Sequence, residues 1–303
     1  MILRLAITAV ILALLARGID FGESARAIAT IDLRYLALVL GLVAIDRSVM
    51  IWRWILLLRS SAINISSGGA ARLFLISSFV GSFLPAGVGA DAARAYGLSR
   101  ETTSGSEALA SVAVDRILGV FSIVVMSMVG VIAWAPARGD WRIAAAILAL
   151  TIACSAVFWA GDWLRWAIPD AHHDHAIARR VLRVSDAVGR YRGRHGVLAH
   201  VMIWSLLVQL LRITQAYFLG LGLGLTVPYS YYLLFMPLGL MMLLLPISVS
   251  GFGLPQGVIV WLLRPMGVSD VQSFALSTLI VLTGLAGNLP GLLLWLRQRR
   301  EIL

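Results

Sequence analysis

The chain has 303 residues, 60% of them hydrophobic and 13% charged, where a soluble domain carries about 25% charged residues. That composition excludes a soluble enzyme or a nucleic-acid-binding domain, and the single cysteine, Cys154, excludes an internal disulfide or a zinc site. All 25 basic residues are arginine and the net charge is +10; spread over loops, these arginines set membrane topology and form no nucleic-acid stripe.

Uncharged runs at Leu73–Ala90, Ile117–Ala137, Ile143–Gly161, Ile213–Leu263 and Val271–Leu296 compare with the ~20 apolar residues one spanning helix requires. In chain order, Met1–Ala16 has the form of a signal peptide, but a charged hairpin and further apolar helices follow it, so it reads as a short first span at 2–17. Further spans are predicted at 34–58, 107–135, 142–161, 197–222 and 271–296. The loop 162–196 holds seven arginines (Arg165, Arg179, Arg180, Arg183, Arg190, Arg192 and Arg194) against four aspartates, which places it in the cytoplasm. Its His172-His173-Asp174-His175 run has metal-ligand residue types but no helical pairing, and reads as solvated loop. The tail arginines Arg297, Arg299 and Arg300 belong on the same side. Six crossings then put both termini in the cytoplasm of a multi-pass bacterial inner-membrane protein.

Two apolar stretches, 68–98 and 228–265, must enter and leave on one side for the arginine counts to balance. Each breaks at a proline-glycine knot: Pro85, Gly87 and Gly89 in the first, and Pro246, Ser248, Gly251 and Gly253, followed by Gln256, in the second. Proline removes a donor and glycine permits a tight reversal, so each stretch is predicted to be a re-entrant hairpin with these residues at its tip. Two kinked spans apiece is the alternative. The expected fold is therefore all-α, integral to the membrane, with about six spans and two oppositely oriented re-entrant hairpins. The order helix, helix, hairpin, helix occurs twice, at 1–136 and 142–300, as an inverted repeat within a single membrane domain, 1–303. Such repeats place a substrate site near the midplane, where broken helices meet.

Charges interrupt the apolar segments. Asp46, Arg47 and Arg53 lie in the second span, Asp91 and Arg94 after the first knot, Asp115 and Arg116 in the third span and Arg212 in the fifth. Each costs about 2.5–3.5 kcal/mol at a helix centre, so they are expected to face the bundle interior and to pair. Asp46 and Arg53 are two turns apart and share a seam, whereas Arg47 points about 100° away. Asp46-Arg47 and Asp115-Arg116 are sequence neighbours that must find partners on other elements; an Arg116–Asp91 bridge is expected. Arginine's planar fork matches a pair of phosphate oxygens, which makes Arg53, Asp91, Arg94, Asp115, Arg116 and Arg212 the candidate lipid-binding cavity. The alternative is that these ions only staple helices together.

The run from Ser82 through Pro85, Gly87, Gly89 and Asp91 to Arg94, with Ala113-Val114-Asp115-Arg116-Ile117-Leu118-Gly119, resembles the lysylphosphatidylglycerol synthase transmembrane region family. So do Leu245-Pro246-Ile247-Ser248-Val249-Ser250-Gly251-Phe252-Gly253 and the closing Asn288-Leu289-Pro290-Gly291. The resemblance implies a flippase-type membrane domain. Departures are Ala90, where the family commonly has a second glycine, and Pro255-Gln256, where it commonly has Arg-Glu; losing that acidic residue weakens the case for a cationic aminoacylated lipid. Only three residues follow Arg300, so no aminoacyl-transferase domain and no lysyl transfer are expected. No nucleophile elbow, zinc-protease pair or nucleotide loop occurs, so no catalytic residue, metal or cofactor is assigned.

Two functions remain open. One is transport or flipping of a membrane phospholipid or polyprenyl-linked lipid with an anionic head. The other is a membrane-embedded enzyme or accessory subunit of lipid or lipid-linked glycan biosynthesis, with Asp91 or Asp115 as acid or base. Self-association into a homodimer is left open.

Overall fold

The computed structural model describes residues 20–61, 63–84, 89–102, 105–134, 186–191, 193–243 and 254–300, with isolated positions between 136 and 152. The expected span at 2–17, all but isolated positions of that at 142–161, most of the loop 162–196, and Pro85, Gly87, Pro246, Ser248, Gly251 and Gly253 lie outside them.

The described residues form helices α1 (Phe21–Ala29), α2 (Leu33–Arg59), α3 (Ser67–Gly81), α4 (Gly89–Glu101), α5 (Gly105–Ala133), α6 (His195–Gly222), α7 (Tyr229–Leu243), α8 (Leu254–Leu263), α9 (Asp270–Ala286) and α10 (Leu289–Arg300), with a 3-10 turn at Arg264–Met266. Among them there is no strand. Four helical segments are long and apolar enough to cross a membrane: α2, α5, α6 and the nearly continuous pair α9–α10, counted as Asp270–Gln298.

Side-chain caps start several helices. Asp20 accepts from the Gly22 and Glu23 amides, Asp32 from Arg34, Ser66 from Gly69 and Ser269 from Gln272, satisfying backbone donors that the first turn leaves free. The segment expected as a charged hairpin after residue 17 is instead the short amphipathic helix α1. Its buried Ser24 and the Phe21 ring, which meets Phe274 edge-on, dock on α9. The α9–α10 break follows from Pro290: it has no N–H for the Ala286 carbonyl, and the chain turns through Gly287 and Asn288 before α10 resumes.

The predicted hairpin segments are helical hairpins. A β-carbon on Gly81 would fall 2.4 Å from Ala90, and one on Gly97 2.4 Å from Leu73, so α3 and α4 run antiparallel in close contact. In the second hairpin the Tyr231 hydroxyl donates to the Leu262 carbonyl across α7 and α8. Of the expected tip residues within the described set, Gly89 opens α4 and Gln256 lies fully buried in the first turn of α8.

At the centre α2 and α6 pack antiparallel, with Asp46 opposite Arg212 and Arg53 opposite Ser205. Each hairpin leans its first arm on a span from the other half. Gly130 of α5 approaches the backbone of α7 so closely that a β-carbon would meet the Leu233 carbonyl oxygen at 2.3 Å. That carbonyl is the one Pro237 cannot hydrogen-bond. Likewise Gly291 of α10 sits against the Leu75 carbonyl of α3. The helices also recur at an even spacing: α2, α3, α4 and α5 begin at residues 33, 67, 89 and 105, and α6, α7, α8 and α9 at 195, 229, 254 and 270, an interval of 162 to 165 residues.

Candidate functional site

The return of α4 from the hairpin places Asp91 and Arg94 beside the N-terminal half of α5, where Asp115 and Arg116 lie. Asp115 is the hub. Its Oδ2 contacts Arg94 Nη2 at 3.0 Å and its Oδ1 lies 2.8 Å from Arg53 Nε, a close ionic contact without the alignment of a linear hydrogen bond. Arg94 also reaches Asp91 at 3.0 Å and is flanked by the Trp54 and Phe74 rings, 5.0 and 5.1 Å from their centroids. Arg53 donates to Ser205 at 3.0 Å. The expected Arg116–Asp91 bridge is present at 3.6 Å.

A second group sits deeper along α2. Asp46 lies 3.4 Å from Arg212 and 3.9 Å from Arg47. Arg47 donates to the Gly284 carbonyl of α9 at 3.1 Å, and both Arg47 and Arg212 reach the Met50 sulfur, at 3.5 and 3.1 Å. Asn288, just past the α9 break, donates to Ser82 at the end of α3 at 2.9 Å and ties the last span to the first hairpin.

These groups enclose a cavity of about 380 Å³ between the first hairpin, α2, α5 and α6, and all six candidate residues (Arg53, Asp91, Arg94, Asp115, Arg116 and Arg212) line it. An adjoining cavity of about 250 Å³ lies between α2, α6, α7 and α9. Among the described residues lining the two, five arginines face three aspartates, an excess of positive charge that the bilayer interior disfavours unless an anion joins it.

The arginines are not equivalent. The Arg53 and Arg94 side chains are each 5% exposed and engaged with carboxylates, whereas Arg47, Arg212 and Arg116 are 18%, 28% and 42% exposed. Arg53 and Arg94 therefore form the frame, and the other three present charge to the cavity. Arg47, expected to point away from the seam, lies on the wall of both cavities; the long arginine stem covers the 100° offset. Sequence reasoning also passed over Asn288, Met50 and Gln209 as cavity-lining residues. Asn288 had a signal, its place in a Pro-Gly motif that breaks a span, while Met50 and Gln209 had none.

Asp115 has both oxygens committed to guanidiniums, an environment for a permanent counter-ion. Among the described residues no cluster of three or more metal-ligating side chains occurs.

A family model described as Lysylphosphatidylglycerol synthase TM region matches residues 1–291. No curated protein matches the chain.

Proposed function

Because the chain belongs to the lysylphosphatidylglycerol synthase transmembrane region family, we propose that it moves a lipid with an anionic head between the leaflets of a bacterial inner membrane. The observation that carries this reading is the arginine-rich cavity between the first hairpin and the spans α2, α5 and α6. A phosphate-bearing head would meet fixed donors there while its chains stay in lipid.

The architecture supports a transporter. Helix α3, with Ser66 and Ser82 at its ends, has 15 residues and is about 22 Å long, short of the ~30 Å hydrocarbon core. We read both hairpins as re-entrant, one from each side. The even spacing of the helices supports two repeats, 1–136 and 142–300, of inverted topology. Broken backbone at bilayer depth is tolerated where it is buried in protein or lines a wet cavity, and alternating access by rocking one repeat against the other exposes such a cavity to each side in turn.

The topology is checked by cysteine labelling. In a Cys154→Ala background, Gly193→Cys, at an exposed position where a β-carbon meets nothing within 4 Å, should resist a membrane-impermeant thiol reagent in whole cells and react after permeabilisation. Labelling in intact cells would invert the orientation. For activity, the purified chain in liposomes should bring inner-leaflet labelled phosphatidylglycerol within reach of an impermeant quencher with no change in the lipid's mass. A change of mass without transfer would favour the enzymatic reading, and neither change would refute transport of this lipid.

A further inference from the structure

We infer that the two cavities are the compartments of one lipid site, with the phosphate held between Arg47 and Arg212, the polar head in the larger chamber and the first carbons of a chain in the smaller. This rests on the lipid reading above and specifies its ligand as a phosphodiester lipid with a small polar head.

Arg47 and Arg212, together with Leu240, Leu285 and Asn288, line both cavities, which adjoin at these residues. The chambers differ in character. Beyond the two arginines the larger is lined by further charged groups, Asp91 and Arg116 among them. The smaller is walled mainly by apolar residues such as Val43, Leu219, Met236 and Ile280, with Asp46, Gln215 and Thr283 beside them. A polar chamber joined to an apolar one through a pair of cations is the profile of a lipid around its phosphate: head on one side, chain on the other, charge at the junction. The two guanidiniums approach the same Met50 sulfur and share one carboxylate, Asp46, which neither contacts closer than 3.4 Å. Two like charges that share one counter-ion repel, and a phosphate between them would relieve that repulsion through charge-assisted hydrogen bonds. The combined volume is in the range of small-molecule sites and is too small for a whole lipid, so the remaining chain length stays in the bilayer.

Gly284 lines the smaller chamber, and a β-carbon there meets nothing within 4 Å. Gly284→Leu should therefore narrow that chamber, and Gly284→Ala should narrow it less. The purified full chain in detergent is titrated with short-chain phosphatidylglycerol and, separately, with glycerophosphoglycerol, its deacylated form, which shares the phosphodiester and lacks the chains. Wild type should bind the lipid at least about tenfold more tightly than the chainless phosphate. Gly284→Leu should lower affinity for the lipid by a larger factor than affinity for its deacylated form, with Gly284→Ala between Gly284→Leu and wild type. Arg47→Gln and Arg212→Gln should weaken both ligands by about 10- to 100-fold, with Arg47→Lys intermediate; Arg212→Gln should also lower the thermal midpoint, because it takes the nearer cation from buried Asp46. Full lipid affinity in Gly284→Leu would overturn the chain chamber, and full affinity in both arginine variants would overturn the phosphate position. Equal affinity for the two ligands in wild type would make this a soluble-phosphate site. Lipid binding with the predicted pattern but no transfer in liposomes would support the two-chamber site and refute the flippase reading.

Discussion

The two helical hairpins face the same architectural task, docking a short helix pair onto a long span, and meet it with opposite chemistry. The first hairpin is tied to its surroundings by ions: Arg94 and Asp91 on α4, Asp115 and Arg116 on α5, and Arg53 on α2. The second is held by rings and close backbone contact: Tyr231 against Trp134, Tyr232 against Tyr217, and Gly130 against the Leu233 carbonyl. Apolar packing is thus sufficient to seat a hairpin in this molecule. Buried ion pairs gain little or no stability over well-packed apolar groups, so architecture alone does not account for those of the first hairpin. They coincide with the cavity, and the second hairpin's aromatic cluster does not.

The largest effect in this comparison is expected for Asp115→Asn. It leaves two arginines, each 5% exposed, without their shared carboxylate, and removing one partner of a buried ionic group costs about 3–5 kcal/mol. A thermal midpoint close to wild type in detergent would mean the first hairpin does not depend on its ions. Gly130→Ala tests the other side. Its methyl would fall 2.3 Å from the Leu233 oxygen, and overpacking of this kind costs about 1–3 kcal/mol. The protein that remains folded should still bind lipid, because the contact lies away from the cavity. Loss of lipid affinity without loss of stability would couple the apolar hairpin to the site. Arg116→Gln should be the mildest for stability, under about 1 kcal/mol for a half-exposed pair, since its side chain is 42% exposed beside Asp91. Lipid transfer should nevertheless fall several-fold; unchanged transfer would make Arg116 part of the frame.

Hydropathy located the four long spans to within about two residues, because an apolar helix in lipid is specified by composition over a long window. The span predicted at 34–58 is Leu33–Arg59, and that at 197–222 is His195–Gly222. The charged residues announced themselves by their cost, and the Arg116–Asp91 pair followed from the hairpin's return. Three things were not legible. Helix α1 is short and charged, so its docking on α9 was invisible to a hydropathy window. Arg47 was assigned by helix angle, which fixes where a Cα–Cβ bond points and not where a long flexible side chain ends. The division of the arginines into frame and cavity depends on which carboxylate each one meets, and Asp115 meets two from different helices only after the hairpin has folded back.

The distribution of partners along the chain also bears on how this protein is made. Arg53 waits for Asp115, about 60 residues later, whereas Asp46 waits for Arg212, about 165 residues later. At roughly 5–20 residues per second of synthesis, the first interval is about 3–12 s and the second about 8–33 s. Helix α2 thus leaves the insertion machinery carrying an acidic group whose cross-helix partner has not yet been translated. Its adjacent arginine, Arg47, at 3.9 Å in the finished fold, is the one cation on the nascent helix close enough to shield it. The same side chain that bounds both cavities is thereby placed to chaperone Asp46 through the bilayer until α6 arrives.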